Sequence, residues 1–422
     1  MDAENNIQRI EMLQSLDSVA KKKLNKSQLH QFQQFLTSAV HLHLDTEYLR
    51  RPVEAIFSSL WELLVFSSAA AEPVNGCSAS VRVFNPDTES EDWHSRYTCI
   101  YINQIDMPFL VDSLRIVLNR RDLNIYTLQS NPIWAVRDDS GILQSTSADY
   151  KEGAQREALI SIEVDRHIES ELADLHCELM AVLDDVQVVV DSFESMRGRA
   201  EELVTELQSN APESEENQES LEFLRWIYNG YFTFTGCVEF ALQEDGGKQF
   251  LVEVADSRRG LFKKYGRDAR QQPMTELSPG VQALHNSGEI LTVTKSSQRS
   301  RVHRDVYSDY LVVKRFNDKG QAIGEVRFLG LYTSQFYSYS PRRIPVLRKK
   351  VSWVMDNSGF SPNSHDGKAL QAILDFHPRD ELFHVSREAL ADTAIGIWQI
   401  YERRVTRVFV HPDPFNKFVS CI

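Results

Sequence analysis

Apolar residues among the first seventy positions recur with the period of a helix. Within 29–40 they fall at steps of three, three, one and four, which places on one stripe Leu29, Phe32, Phe35, Leu36 and Val40. A second stripe with helical spacing covers 49–64, and turn-forming residues follow at 72–78. We therefore predict an N-terminal helical segment over 1–75.

From residue 80 the pattern changes to short β runs that alternate with helices. One helix is predicted after Asp106, which can act as its N-cap, with Pro108 in the first turn. A second helix is predicted over 169–183. The predicted strands are 81–84, 97–103, 123–136, 158–164 and 186–190. This order predicts a two-layer α+β unit with its helices on one face of the sheet.

A polar break follows this unit. Residues 191–208 are predicted to be helical, and the acidic stretch 210–220 behind them has nothing to bury in a core. We therefore predict a linker and a domain boundary at that stretch.

The next segment is predicted to fold as an antiparallel sheet, opened by a short helix over 221–229. Gly246-Gly247 is typical of a hairpin turn. The predicted strands are 232–242, 250–254, 290–294, 309–316 and 324–332. A closing helix is predicted with Ser340 as its cap, Pro341 at its start and Gly359 at its end.

Two further helices, 366–376 and 386–403, precede two strands, 405–411 and 418–422. The second helix is expected to bury an apolar stripe that ends at Tyr401. No helix follows the last strand to cover its sheet, and an open edge is unstable alone. We therefore expect the 422 residues to be the front part of a longer polypeptide, or to pair with a neighbouring chain.

Composition matches an ordinary globular protein of two to four domains, with 42% hydrophobic residues and a net charge of −14. No stretch has the roughly 20 apolar residues of a membrane span, and the N-terminus lacks a secretory signal. A cytoplasmic location without a membrane partner is therefore expected. Disulfide frameworks and paired-cysteine metal sites are disfavoured by the scattered positions of Cys77, Cys99, Cys177, Cys237 and Cys421.

Positive charge is concentrated in residues 251–350, which hold 19 Lys or Arg and 9 Asp or Glu, an excess of 10. Such a segment could bind nucleic-acid phosphates, or it could dock on an acidic surface of the same protein or its oligomer. No recognition helix, zinc finger or aromatic-basic motif accompanies the charge. We therefore favour internal docking and predict no specific nucleic-acid partner.

Catalytic and cofactor-binding motifs are missing from the sequence. It contains no GxxxxGK[ST], GxGxxG, GxSxG, HExxH or EF-hand pattern. His41 and His43 are two residues apart and would point about 200° away from each other on a helix, which disfavours a metal pair. The prediction for this segment is no catalytic residue, no cofactor site and no metal site.

The turn over 105–113 is the candidate binding site. A helix N-terminus can hold the carboxylate of a small amino acid, while nearby carboxylates take its ammonium group. The candidate effector-binding residues are Asp106, Met107, Pro108, Phe109, Leu110 and Asp112. In the alternative, Asp106 caps the helix and occupies its N–H groups, with the apolar residues packed into a core or an interface. The residues alone leave both possibilities open.

Long motifs occur in a fixed order from about residue 30 to the end of the chain. They include Asp106-Met-Pro-Phe-Leu-Val-Asp-Ser, Phe223-Leu-Arg-Trp-Ile, Phe232-Thr-Phe-Thr-Gly, Arg327-Phe-Leu-Gly-Leu-Tyr-Thr-Ser, Ser340-Pro-Arg-Arg-Ile-Pro-Val-Leu-Arg-Lys-Lys-Val, Ser364-His-Asp-Gly-Lys-Ala-Leu, Pro378-Arg-Asp-Glu-Leu-Phe and Asp413-Pro-Phe-Asn-Lys-Phe-Val-Ser-Cys. With these motifs the chain resembles the N-terminal region of the large bacterial NAD-specific glutamate dehydrogenases.

The resemblance implies a multidomain α+β fold: an ACT-like, ferredoxin-type α/β sandwich, then a PAS-like antiparallel sheet domain, with N-terminal and connecting helices. The implied limits are 1–75 for the helical segment, 80–190 for the ACT-like domain, 191–220 for the helix and linker, 221–358 for the PAS-like domain, 359–404 for connecting helices and 405–422 for the start of a second ACT-like domain. A regular ACT unit runs βαββαβ, whereas here a strand precedes it and 186–190 is a weak last strand, so the sheet order stays open.

The resemblance also implies a parent enzyme that oxidises L-glutamate to 2-oxoglutarate with NAD. The family's catalytic lysine and NAD-binding loop have no counterpart in this sequence, so NAD would belong to the full-length parent. The implied role of the segment is regulation and assembly. Its implied partners are the downstream catalytic part of the same polypeptide, other protomers and possibly an amino-acid effector.

Two other interpretations compete with this one. The chain could be a stand-alone amino-acid sensor or scaffold, in which case the reading frame would stop after Ile422 instead of continuing for more than a thousand residues. It could also be an enzyme in its own right, which predicts turnover by the isolated chain.

Overall fold

The computed structural model describes residues 2–40, 51–69, 78–87, 95–266, 271–276, 287–401, 403, 405–412 and 419–422. The predictions for His41, His43, Leu49 and Cys77 fall outside these residues. The chain forms two compact units: Met1–Val190 with Arg301–Asp305, and Asp191–Ser300 with Val306–Ile422. The domain limits proposed from the sequence remain predictions.

The first unit contains helices and one sheet. Its helices are α1 (Asp2–Lys23), α2 (Lys26–Phe35, followed by a π-helical turn over Leu36–Val40), α3 (Val53–Ser68), α4 (Leu110–Arg120) and the first part of α5 (Glu169–Asn210). Its strands are β1 (Ser80–Phe84), β2 (Thr98–Ile105), β3 (Ile125–Arg137), β4 (Leu143–Ser147) and β5 (Gln155–Val164). The helical stripe predicted within 29–40 is confirmed at Phe32, Phe35 and Leu36, which are buried, whereas the side chain of Val40 lies outside the described part of the chain.

The sheet of the first unit is antiparallel, in the order β1-β2-β5-β3-β4. One face packs on the N-terminal helices, where Tyr101 and Leu159 share a core with residues of α1 to α3. Strand alternation directs Ile100 and Ile102 to the other face, where Gln104 donates a hydrogen bond to Gln187 of α5. Helices therefore cover both faces, and the prediction of helices on one face alone is wrong.

Residues 186–190 were predicted as a strand but lie inside α5, a single helix of 42 residues. Val186 and Val189 are both fully buried, and their spacing of three continues the buried stripe of Leu175, Leu179 and Val182. A short run of β-branched residues cannot be distinguished from a buried helical segment by composition. Here the run is helical, because its buried positions follow the helical period. The polar edge strand β4 was not predicted.

The second unit is built on a larger antiparallel sheet, in the order β10-β11-β12-β6-β7-β9, with β8 paired to β6. Asp245 and Lys248 pair across the predicted Gly246-Gly247 turn, and both glycines have positive φ. The strands are β6 (Phe232–Asp245), β7 (Lys248–Glu253), β8 (Arg259–Gly260), β9 (Gln271–Pro273), β10 (Leu291–Arg299), β11 (Tyr307–Phe316) and β12 (Ala322–Tyr332).

The helices of the second unit share its main core with the sheet. Besides the end of α5, they are α6 (Glu215–Trp226, followed by a π-helical turn over Ile227–Tyr231), α7 (Leu261–Tyr265), α8 (Ser334–Ser338), α9 (Leu347–Asn357), α10 (His365–Phe376), α11 (Arg379–His384) and α12 (Arg387–Ile400). None of the described helices is long and apolar enough to cross a bilayer.

The predicted acidic linker is only partly non-helical, because α5 ends at Asn210 and α6 begins at Glu215. Ser214 accepts a hydrogen bond from the backbone of Asn217 and caps α6, which begins at Glu215. The buried amide of Asn217 donates to the carbonyls of Pro212 and Gly288. Polar side chains therefore anchor a stretch that has few apolar ones.

The predicted closing helix begins later than expected. Ser340 caps only a 3₁₀ turn over Pro341–Arg343, and α9 starts at Leu347. The cause is Pro345, because a residue that precedes proline is pushed out of the helical region, and Ile344 is extended.

The C-terminal elements are shorter than predicted. Among the described residues, β13 (Val410–Pro412) and β14 (Val419–Cys421) pair as a two-stranded ribbon. Tyr401, predicted to face inward, is 73% exposed because α12 ends at Ile400. The short helix α11 was not predicted.

Candidate functional site

The six candidate residues lie on the connection between β2 and α4. Leu110 is buried and begins α4, whereas Pro108 is exposed. Phe109 precedes the helix in a left-handed conformation, with φ of 74°, and no side chain caps the first turn. The N-terminus of α4 therefore keeps backbone N–H groups that no side-chain oxygen accepts.

Asp106 does not cap α4, so this part of the prediction is wrong. Its Oδ2 pairs with Nε of Arg156 at 2.9 Å, and its backbone N–H donates to the Arg156 carbonyl. The antiparallel register of β2 and β5 places Asp106 beside Arg156, because Ile105 already faces Glu157. The alternative in which Asp106 occupies the helix N–H groups is excluded.

A distant segment, 301–305, contacts the start of α4 within the first unit. The His303 backbone N–H donates to Oγ of Ser113 at 3.1 Å, and His303 Nδ1 lies 3.4 Å from Oδ2 of Asp112. The ring of Phe109 lies against the imidazole, with centroids 4.7 Å apart. Arg120 and Asp305 add an ion pair at 2.6 Å.

His303 is the residue of this candidate site that the sequence did not mark. It is separated from Asp112 by 191 positions, and no motif marks it. Burial lowers the pKa of His303, the nearby Arg304 lowers it further, and the hydrogen bond to the Asp112 carboxylate opposes both effects. Because the Asp112 carboxylate can only accept, Nδ1 of the neutral imidazole carries the proton, and Nε2 is left as a hydrogen-bond acceptor.

The remaining candidates divide between two environments. Met107 Sδ lies 3.9 Å from the Gln104 amide nitrogen, on the side of the connection where Gln104 contacts Gln187. Asp112 is 56% exposed on its side chain and faces His303. The structure therefore gathers Phe109, Asp112 and His303 and gives Asp106 a different partner.

Metal and thiol chemistry gains no support from the described part of the chain. No group of three or more His, Cys, Asp or Glu side chains there is arranged to hold a metal ion. Burial raises the pKa of the Cys237 thiol to about 12 and that of Cys99 well above its usual range, so neither provides a thiolate at neutral pH.

The basic segment makes many internal ion pairs. Acidic partners within 4 Å are found for Arg258, Arg259, Lys295, Arg301, Arg315, Arg327, Arg348 and Lys349. In the second unit, buried Arg199 and Glu239 anchor a network that Arg259 and Arg315 join. Acidic partners outside 251–350, among them Glu206, Glu215 and Glu219, neutralise part of the excess positive charge within the chain, and the absence of a nucleic-acid partner stays a prediction.

Two family models match the chain. One, described as glutamate dehydrogenase, ACT1 domain, matches residues 38–179, and the other, glutamate dehydrogenase, helical motif 1, matches residues 344–403. The first range contains all five strands of the first sheet, and the second contains α9 to α12.

Curated relatives agree with these matches. The NAD-specific glutamate dehydrogenase of Halomonas elongata is 41% identical over 350 residues, which cover 81% of this chain and 22% of the relative. The protein of the same name from Pseudomonas aeruginosa is 37% identical over 81% of this chain and 21% of its own length. That from Mycobacterium tuberculosis is 25% identical over 74% of this chain and 18% of its own length. The chain thus spans about a fifth of these relatives, and it belongs to the NAD-specific glutamate dehydrogenase family as a counterpart of its N-terminal region.

Proposed function

We propose that this chain is a regulatory and assembly region of an NAD-dependent glutamate dehydrogenase and performs no catalysis itself. The observation that carries the proposal is the ACT1 match over the residues that build the first sheet. In the whole cytoplasmic enzyme, a catalytic part elsewhere in the polypeptide would oxidise L-glutamate to 2-oxoglutarate with NAD.

The non-catalytic role is tested with the 422-residue chain in an assay for NADH formation from glutamate and NAD. We expect no turnover above a protein-free control, because the sequence has neither of the common nucleotide-binding loops. Measurable turnover that tracks the purified chain would contradict the proposal.

The effector site is proposed at the start of α4. Its uncapped N–H groups suit a carboxylate, since helix N-termini carry a partial positive charge. The exposed carboxylate of Asp112 can pair with an ammonium group, and the neighbouring imidazole of His303 supplies a further hydrogen-bonding group. An α-amino acid presents both charges on one carbon, which fits this pairing.

Calorimetry of the chain with a panel of amino acids tests this site. We expect one class to bind at millimolar concentration or below, and Asp112→Asn to weaken that binding about tenfold by removing an ion pair. Asp106→Asn should have a smaller effect, because Asp106 already pairs with Arg156. Asp139→Asn, an exposed change in the β3–β4 turn, is the matched control.

The effector proposal fails if no amino acid binds, or if Asp112→Asn binds as tightly as the control variant. Either result would leave the assembly role standing, because assembly is measured separately.

For the assembly role, we propose that other protomers and the rest of the polypeptide are the partners. The ribbon of β13 and β14 supports this, since Val410 and Val419 are 58% and 59% exposed. We propose that 405–422 begins a further ACT-like sheet and that 221–358 is PAS-like. Light scattering over a concentration series should show self-association of the chain, and a monomer at every concentration would refute the role in assembly.

A further inference from the structure

A polar pocket in the second unit lies beside the segment that follows β12. Its volume is about 920 Å³, within the range of small-molecule sites. The segment 338–343 forms one side of the pocket, and Ser352 of α9 and Asp375 of α10 also line it. Hydroxyl, amide and guanidinium groups dominate the lining, which suits a hydrophilic ligand.

Arg342 and Arg343 both line this pocket, and neither has an acidic partner among the described residues. Nearby Arg348 is different, because Glu219 and Glu222 both pair with it. Arg342 can donate to the amide oxygen of Gln371 at 2.9 Å, in the orientation of that amide which satisfies both groups. Two guanidinium groups without a carboxylate partner therefore line the pocket, one of them already bonded to a neutral amide.

The one carboxylate in the lining is already engaged. Oδ1 of Asp375 accepts a hydrogen bond from Oγ of Ser340 at 2.7 Å. Arg379 adds positive charge next to the lining, because its guanidinium donates to the backbone carbonyls of two lining residues, Tyr339 and Asp375. With the charges of Arg342 and Arg343 against the single carboxylate of Asp375, the lining carries a net positive charge.

The backbone that bears the two arginines is held in place before any ligand binds. Pro341 fixes the first residue of the 3₁₀ turn, Ser340 caps it, and Ile344 directly after it is fully buried. Because the backbone is already ordered, binding has to order only the arginine side chains, which favours affinity.

We propose that this pocket binds a small molecule through an oxyanion group, a phosphate or a carboxylate, held by Arg342 and Arg343. A guanidinium presents paired N–H donors that match both oxyanions. The hydroxyl group of Ser352 lies in the same lining and can donate to a further oxygen of the ligand. The site is independent of the one at α4, because it lies in the other unit.

Calorimetric titration of the 422-residue chain tests the site at constant ionic strength, with inorganic phosphate and with a four-carbon dicarboxylate as separate probes. We expect saturable binding of at least one probe in the millimolar range. Arg343→Gln and Arg342→Gln should each weaken it about tenfold, because each removes charge-assisted hydrogen bonds. Arg197→Gln, which removes an exposed arginine of α5, is the matched control and should bind as the unaltered chain does.

A variant with the opposite effect guards against trivial loss of folding. Asp375→Asn keeps an oxygen for Ser340 but removes the negative charge, so it should tighten binding severalfold. The pH distinguishes the two probes. When the pH is lowered through 6 to 7, phosphate takes up a proton and loses one negative charge, so its binding should weaken, whereas binding of the dicarboxylate should not. The proposal is overturned if neither probe saturates, if both arginine variants bind like the control, or if Asp375→Asn fails to tighten binding.

Discussion

Acidification should destabilise the second unit through one buried histidine, His377. This residue caps the C-terminus of α10, is 4% exposed, and its Nε2 has no hydrogen-bond partner in the described part of the chain. Burial lowers the pKa of His377 from 6.5 to about 4, and the nearby His411 and Arg379 lower it further in the same direction. The imidazole is therefore neutral in the folded chain.

The sign and size of the effect follow from linkage. Between pH 6.5 and 4 the unfolded chain binds a proton at His377 and the folded chain does not. The contribution of His377 to the free energy of unfolding is therefore complete above pH 6.5 and is lost as the pH falls towards 4. The pKa difference of about 2.5 between the unfolded and the folded chain corresponds to about 3 kcal/mol of unfolding free energy, of which about 2 kcal/mol is lost between pH 7 and pH 4.5.

Urea unfolding at pH 7 and pH 4.5 measures this loss, with tryptophan fluorescence as the signal. His377→Leu removes the titrating ring, so the variant should lose about 2 kcal/mol less than the unaltered chain on acidification. His365→Gln, an exposed change at the start of the same helix, is the control and should lose as much as the unaltered chain. Equal losses in the two histidine variants, or a ring proton resonance of His377 that titrates near pH 6.5, would refute the reasoning.

Three further changes test the packing. Leu114→Ala, at a fully buried position of α4, should cost about 2–5 kcal/mol in unfolding free energy, and a loss under about 1 kcal/mol would mean that the helix is not packed as described. Gly198→Ala should stabilise the chain by about 0.5–1 kcal/mol and so raise its melting temperature, because alanine favours a helix and the added Cβ meets open space in α5. A lower melting temperature would contradict a continuous helix there. Gly260→Ala should destabilise the chain by more than about 1 kcal/mol in urea, because φ is +60° and the new Cβ would lie 2.3 Å from the Thr235 carbonyl oxygen, and an unchanged midpoint would argue against that close approach.

Periodicity predicted those elements whose burial follows one simple period. The predicted helix after Asp106 is an example, since α4 buries Leu114 and Leu118 fully, and the hairpin at Gly246-Gly247 is another. Prediction failed where two local preferences competed. The valines at 186–190 favour a strand by composition, but the surrounding helix continues through them because its buried stripe does.

The candidate site shows the same division. The sequence marked the connection from Asp106 to Asp112, since it joins a strand to an amphipathic helix. It could not show that Asp106 would pair with Arg156, because that contact depends on the register of β2 against β5. Nor could it show that the helix would start at Leu110 without a side-chain cap.

By itself, the sequence determined the local elements and the family, because both are properties of residues close together along the chain. Only the tertiary structure brought His303 to Asp112 across 191 positions and left Arg342 and Arg343 beside a pocket without acidic partners. The physical reason is that periodicity and turn chemistry depend on residues close together in the sequence. A site depends instead on distances between side chains far apart in the sequence, and the tertiary fold sets those distances.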